Sequence, residues 1–283
     1  MLRIAIQSKG RLNEDSMKLL AEAGIKVGTS KRTLLTAAKN FPIEILFLRD
    51  DDIPETVADG VADIGIVGLN ELKEKNANVN IVRPLGFGGC RLSLAIPKEI
   101  TYDNPSWFNN KKIATSYPHI LQNYLQEQNI QAEIHVITGS VEISPSIGLA
   151  DAIFDIVSSG STLISNNLKE VERILESEAV MIATPGLSDE KQDLLNELLF
   201  RIEAVKSAED KKYVLMNAPK DKVSDIVKVL PGIKSPTIMP LAESDWCSIH
   251  TVLDETRFWE IIGQIKANGA QGILVLPIEK MIL

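Results

Sequence analysis

The sequence predicts the α/β class: two α/β lobes followed by a smaller C-terminal module. Three observations predict it. Over the first two-thirds of the 283 residues, short continuous apolar runs alternate with segments of helical spacing, the pattern of a sheet covered on both faces. The stretch Thr101–Asn110, rich in Asn, Pro and Asp, reads as a connection to a second unit beginning near residue 100. From about Glu209 the signals change to the order β-α-β-β-α-β, that of a ferredoxin-like module.

The elements follow in order. Leu2–Gln7 is an apolar strand, and Asn13–Ala23 has helical spacing and stops at Gly24. Ile43–Leu48 is a strand, Asp50–Asp59 a short helix with Pro54 in its first turn, and Asp63–Val67 a strand closed by Gly68. Gly88–Ala95 alternates as a strand, with Arg91 opposite its apolar neighbours. Strands are predicted at Ile113–Thr115, Ala132–Ile137 and Ala152–Val157, with a helix over Pro118–Gln128. Ala179–Ala183 is a strand placed to return to the first lobe, and Asp189–Val205 is a helix with a leucine-rich face. In the last module, Lys212–Asn217, Ser235–Leu241, Trp246–Val252 and Gln271–Leu276 are strands. Its helices are Lys220–Val229, ended by Pro231-Gly232, and Glu255–Ala267. The expected domains are residues 1–98 with 179–208 as lobe I, 99–178 as lobe II, and 209–283 as the C-terminal domain. Two lobes joined by more than one crossing leave a cleft, a common ligand site.

Composition bounds the function. Hydrophobic residues make up 45% and charged residues 24%, enough for a sizeable core. The 30 Lys+Arg against 38 Asp+Glu give a net charge of −8, which argues against nucleic acid as a partner. It leaves room for a small phosphorylated ligand held by local donors. Two cysteines, Cys90 and Cys247, make no disulfide framework and read as small buried hydrophobes. No apolar run approaches membrane-spanning length, and the opening Met1–Ile6 enters a strand without signal-peptide features. No membrane partner is expected, and the expected compartment is the cytoplasm. No histidine cluster suggests a transition metal, and no Ser/His/Asp or Cys/His pairing stands out.

The strongest local signal is the strand Ala152–Val157 running into Ser158, Ser159, Gly160, Ser161 and Thr162. Small hydroxyl residues around one glycine expose backbone N–H groups and hydroxyls in a tight arc, which suits a phosphate monoester without a lysine. Asp151 and Asp155, four apart in a strand, share a face and are candidates for the two hydroxyls of a ribose. A Ser-rich turn with two solvated acids is the alternative. Lys9 and Arg11 flank Gly10 at a strand-to-helix turn, where α/β sheets bind ligands. Arg49 stands at a second strand end, before Asp50–Asp52, which read as helix caps. Tyr117 lies at a third such turn, where an aromatic ring either stacks on a base or starts a helix.

These stretches together resemble the long form of the ATP phosphoribosyltransferase family. The resemblance runs over the whole chain. It is carried by Gly10-Arg11-Leu12, Arg49–Pro54, Asp59–Gly68, Phe87–Ala95, Ala114–His119, Gly139–Glu142, Gly148–Leu163 and Ile273–Met281. It implies lobes like those of periplasmic binding proteins, with the active site in the cleft, and a regulatory C-terminal module that binds histidine as inhibitor. The implied reaction joins N1 of ATP to C1 of phosphoribosyl diphosphate and releases pyrophosphate, the first step of histidine biosynthesis. Mg²⁺ is the implied cofactor, carried chiefly by the diphosphate rather than by side chains. Dimers and hexamers of the chain are implied.

The roles expected from this are specific. Ser158, Ser159, Gly160, Ser161 and Thr162 would hold the 5-phosphate. Asp151 and Asp155 would grip the ribose and favour the cationic transition state, with Glu142 assisting at the sugar or the metal. Lys9, Arg11 and Arg49 would face phosphates, and Tyr117 the adenine. Some relatives order Lys-Ser where this chain has Ser8-Lys9. The implied histidine site comprises Asn217, Ile233, Ser235, Thr237 and Val252; related chains can carry an acid at the position of Asn217. The competing class is a binding module without catalysis, an amino-acid receptor of the periplasmic type or its cytoplasmic sensor relative. The phosphate loop with its paired acids favours the enzyme.

Overall fold

The computed structural model describes residues 1–28, 33–230, 235–243 and 245–283. Pro231-Gly232 and Ile233 therefore lie outside the described residues. Contacts divide the chain into two compact units. One is Met1–Ala21 with Ile25–Leu195, and the other is Asn196–Leu283 with Glu22–Gly24.

The chain begins with β1 (Leu2–Gln7), α1 (Arg11–Glu22), β2 (Leu35–Ala37), β3 (Ile43–Leu48), α2 (Ile53–Ala58), β4 (Ile64–Gly68), α3 (Leu69–Lys75) and β5 (Asn80–Pro84). It continues with β6 (Cys90–Pro97), β7 (Lys112–Thr115), α4 (Pro118–Glu127), β8 (Glu133–Val136), β9 (Ala152–Val157), α5 (Ser161–Ser165) and β10 (Leu168–Ser177). Then come β11 (Ala179–Ala183), α6 (Asp189–Ala208), β12 (Lys211–Pro219), α7 (Val223–Val229), β13 (Thr237–Pro240), β14 (Trp246–Asp254), α8 (Glu255–Ala267) and β15 (Gln271–Pro277).

The first unit holds two sheets. A six-stranded sheet has the order β2-β3-β1-β4-β11-β5, and a five-stranded sheet the order β10-β6-β9-β7-β8. In the first, β1 runs parallel to β3 and β4, and β11 returns antiparallel beside β4. In the second, β7 runs parallel to β8 and β9. Ile4, Ile6, Ile43, Ile45, Ile64 and Ile66 are fully buried, as strands covered on both faces require. The expected boundary between residues 98 and 99 is corrected: β6 pairs with β9 and β10 and belongs to the second sheet. The crossing lies at Leu85–Gly89, before the Asn- and Pro-rich stretch. That stretch folds instead as a short 3₁₀ turn, Pro105–Phe108, which buries Phe108 in the second core.

The second unit has a four-stranded antiparallel sheet of order β13-β14-β12-β15, as the β-α-β-β-α-β pattern predicts. Val214, Met216, Ala218, Cys247, Ile249 and Leu253 line one face and pack with Ile226, Phe258, Ile261 and Ile265 of α7 and α8. Cys247 is buried as expected, whereas Cys90 is only half-buried. Contacts divide the two units inside α6, near Asn196.

Helix α2 packs unusually close to β4. A Cβ on Gly65 would lie 2.8 Å from Ile53 Cγ2 and 3.0 Å from Val57 Cγ2. Gly65→Ala is expected to cost about 1–3 kcal/mol through overpacking. The readout is a lower urea midpoint at unchanged slope; an unaltered midpoint would show that α2 yields freely.

Candidate active site

Parallel strands end in loops on one edge of each sheet, and those loops collect most of the expected residues. In the first sheet, β1 ends at Ser8–Gly10 and β3 at Arg49. The Ser8 N–H donates to Leu48 O at 2.7 Å, which binds the two loops together. Lys9, Arg11 and Arg49 are thus brought to one edge, all exposed. Arg49 Nε lies 3.4 Å from Asp51 Oδ1. On the other side of β1, β4 runs directly into α3, which presents Asn70, Glu71 and Glu74.

In the second sheet, β9 delivers Asp155 and then the loop of Ser158, Ser159, Gly160, Ser161 and Thr162. Gly160 has φ +82°, a conformation that disfavours any side chain, and the four hydroxyl residues around it are exposed. Ser159 Oγ and Ser161 Oγ are 3.0 Å apart and share a hydrogen bond. Glu142 sits in a 3₁₀ turn after β8, near enough for its charge to act on Asp155. Burial pushes the Asp155 carboxyl up to about 6, with Glu142 adding to the rise and the Ile156 N–H, donating at 2.8 Å, opposing it.

Two expected placements are corrected. Asp151 precedes β9 at the opposite edge of the sheet from the loop. Its Oδ2 accepts the Lys112 N–H at 2.9 Å, so it closes the start of β7 and β9 rather than facing a ligand. The face-sharing rule holds along the strand, but a separation of four residues also spans about 13 Å of it. Tyr117 offers no open ring. It is 7% exposed and packs among Leu92, Phe108, Leu121 and Phe154.

The Tyr117 hydroxyl has a different use. It donates to Glu71 Oε1 at 2.7 Å and accepts from Asn70 Nδ2 at 3.2 Å, so it joins α3 to the second sheet. Glu74 adds to this junction by accepting the His119 and Ile120 N–H groups at 2.8 and 3.0 Å, which satisfies open donors of α4. Burial raises the Glu71 pKa. The Tyr117 hydrogen bond opposes the rise, and the charges of Asp50 and Asp51 add to it.

Comparison with known proteins decides the family. The profile described as ATP phosphoribosyltransferase matches residues 49–204, and that described as HisG, C-terminal domain, matches residues 208–280. The ATP phosphoribosyltransferase of Bacteroides thetaiotaomicron is 69% identical over 283 residues, the whole of both chains. That of Cytophaga hutchinsonii is 57% identical over 282 residues, covering 100% of this chain and 99% of its own. The chain belongs to the ATP phosphoribosyltransferase family. It is an enzyme of the pentosyltransferase class.

Solved structures agree with this ATP phosphoribosyltransferase fold. A chain of the ATP phosphoribosyl transferase (HisG:HisZ) complex from Thermotoga maritima superposes with TM-score 0.62 at 31% identity, over 72% of this chain and 99% of its own. The substrate binding protein of an amino acid ABC transporter superposes with TM-score 0.50 at 11% identity, over 74% and 94%, a likeness of fold alone. The expected periplasmic-binding-protein-like lobes are therefore present.

In the second unit of this phosphoribosyltransferase, Asn217, Thr237 and Val252 lie on the sheet face away from α7 and α8. Asn217 is paired with Ser248, Thr237 with His250, and Tyr213 with Val252. Ser235 is exposed just before β13. On this same face His250 Nδ1 is 2.6 Å from the Tyr213 hydroxyl and its Nε2 3.0 Å from Ser248 Oγ, contacts that a lone histidine in a strand does not signal in sequence. Glu71, Asn70, Glu74, Arg91 and Glu170 were also not singled out as site residues. Only the polar Arg91 in an apolar strand carried a sequence signal.

Tyr117→Phe tests the junction. Glu71 then loses the hydrogen bond that favours its charged form, so its carboxyl rises further. The folded pKa is already above the unfolded one, and the added cost appears only where the carboxylate ionises. Destabilisation of about 1 kcal/mol is expected near pH 8, shrinking toward pH 4. Urea melts at both pH values check the sign; an equal loss at both would remove Glu71 from the explanation.

Proposed function

We propose that this enzyme condenses ATP with 5-phosphoribosyl 1-diphosphate to give N1-(5-phosphoribosyl)-ATP and pyrophosphate, the first step of histidine biosynthesis, under feedback by histidine. The observation that carries the reading is the junction of Asp155 with the hydroxyl loop Ser158–Thr162 at one strand end. A carboxylate beside a phosphate cradle matches a ribose 5-phosphate: the loop hydroxyls hold the phosphate, and Asp155 accepts from ribose hydroxyls. Lys9, Arg11 and Arg49 answer the remaining phosphates from the first sheet.

The chemistry needs no protein nucleophile. A bond forms between N1 of the adenine and C1 of the sugar as the C1–O bond to diphosphate breaks, and the electron pair leaves with pyrophosphate. Positive charge develops on the sugar ring, and an ionised Asp155 beside it favours that state. Because burial already raises its pKa, Asp155 stays ionised only above about pH 6. Positioning of the two substrates supplies much of the rest.

Magnesium fits this donor set as an ion that arrives on the substrate. Among the described residues no group of three or more His, Cys, Asp and Glu side chains comes together as a cage. An ion carried by a diphosphate needs only one or two carboxylates, and half-buried Glu142 is placed to provide one. When bound, it would neutralise the diphosphate and ease its departure. The open face of the second unit, with Asn217, Thr237 and Val252, is the proposed histidine site, and Ser235 borders it. Asn217 keeps a hydrogen bond to the ligand ammonium but supplies no charge. A metabolic role of this kind places the enzyme in the cytoplasm, and assembly into dimers and hexamers is proposed with it. Among the described residues no helix is long and apolar enough to cross a membrane.

Purified protein with ATP, phosphoribosyl diphosphate and Mg²⁺ should release pyrophosphate together with the adenine-ribosyl product, less so with histidine present. A folded sample yielding no product would overturn the enzymatic reading. Product insensitive to histidine would remove the regulatory one.

Asp155→Asn separates catalysis from stability. An acid whose folded pKa is raised costs stability above that pKa and not below the unfolded one. The substitution should therefore leave the melting temperature at pH 8 equal or higher, while kcat falls by roughly 10²-fold or more. In the parent enzyme, kcat/KM should fall as pH drops through about 6. A parallel loss of stability and activity in Asp155→Asn would count against the assigned role.

A further inference from the structure

Arg91 reaches from β6 to the carbonyl that opens the hydroxyl loop. It pairs across the ladder with Val157, the last residue of β9, and its Nη1 donates to Ser158 O at 3.0 Å. Its other two directed donors form a fork on Glu170 of β10, Nε to Oε1 at 2.7 Å and Nη2 to Oε2 at 2.6 Å. Glu170 is itself fixed, accepting from Ser93 Oγ at 2.9 Å and from Arg173 Nε at 3.3 Å. The Arg91 hydrogen bonds hold the Glu170 carboxyl down to about 2, so the pair stays ionised at any working pH.

Geometry rather than charge is what this guanidinium offers. Its positive charge is met by Glu170, which leaves little to attract an anion. What remains is a planar donor whose third N–H is aimed by the fork holding the other two. The Ser158 carbonyl and the Ser159 N–H belong to one planar, trans peptide, so they point to opposite sides. Fixing the carbonyl on Arg91 therefore fixes the direction of the Ser159 N–H. It also sets the entry to Gly160, whose φ of +82° turns the chain into Ser161 and Thr162.

We propose that Arg91, oriented by Glu170, is a positioning residue that sets the shape of the Ser158–Thr162 loop for the 5-phosphate of the sugar substrate. This rests on the reading of that loop given above. Arg91 does not touch the substrate; it acts through the Ser158 peptide.

The test is steady-state kinetics on the full chain with each substrate varied in turn. Arg91→Lys keeps the charge and loses the fork. It should raise KM for phosphoribosyl diphosphate about tenfold, the worth of one charge-assisted hydrogen bond. KM for ATP and kcat should stay within about threefold of the parent, because the interaction is made equally in ground and transition states. Glu170→Gln should shift the same KM in the same direction. Arg173→Ala, which removes a Glu170 contact without reaching Ser158, should leave it unchanged. The thermal shift produced by ribose 5-phosphate alone should shrink in Arg91→Lys and not in Arg173→Ala. A parental KM for phosphoribosyl diphosphate in Arg91→Lys overturns the proposal. So does an equal rise in both KM values with a lower melting temperature, the mark of a merely structural pair. If the parent enzyme forms no product from phosphoribosyl diphosphate, the loop reading itself fails; parental activity with an indifferent Arg91→Lys fails the positioning role alone.

Discussion

Where the chain passes between the two sheets of the first unit, the crossings are hydrogen-bonded to each other. Leu85 N–H donates to Ala179 O and Ala179 N–H to Phe87 O, each at 2.9 Å. Glu178 Oε2 accepts the Gly86 N–H at 2.8 Å. The same knot holds the start of α3: Leu69 N–H donates to Glu178 O, Asn70 N–H to Ser177 Oγ, and Ser177 Oγ in turn to Asn70 Oδ1. The placement of one sheet against the other draws on these bonds together with those of Tyr117 and Glu74 to α3 and α4.

Under the proposed reaction, that arrangement would let an acidic protein take polyanionic substrates. The cations Lys9, Arg11 and Arg49 are exposed on one sheet edge, where the proposed phosphates would meet them without burying the charges. The carboxylates Glu71 and Asp155 are drawn inward, where burial raises both. Glu71 is met by the Tyr117 hydroxyl and serves the junction between sheets. Asp155 accepts the Ile156 N–H at 2.8 Å, and the proposed reading gives its remaining lone pairs to the ribose. These two half-buried acids thus differ in what donates to each.

The second unit follows a different logic. An antiparallel sheet can leave one face uncovered, and alternation along β12 divides its residues cleanly. Val214, Met216 and Ala218 enter the core, while Tyr213, Leu215 and Asn217 face away from it. The open face therefore carries both apolar side chains and the Tyr213–His250–Ser248 hydrogen-bonded chain.

What the sequence revealed and what it hid divide along one physical line. Strand Ala152–Val157, helix Glu255–Ala267 and the hydroxyl loop were legible because periodicity, a run of small hydroxyls and a glycine are local. The short helix Leu69–Lys75 and strand Leu168–Ser177 were not, since charged residues interrupt their apolar pattern. The same interruptions turn out to be the cross-links. Glu71 meets Tyr117 at a separation of 46 residues, Arg91 meets Glu170 at 79, and Asn70 meets Ser177 at 107. A polar residue that breaks a helix or strand pattern carries a desolvation cost unless a partner meets it. The sequence shows the break but not the partner, and only the closed sheets supply it. Asp151 shows the converse: its spacing from Asp155 was legible, yet the rise along a strand carried it to the far edge, where a backbone N–H claims it.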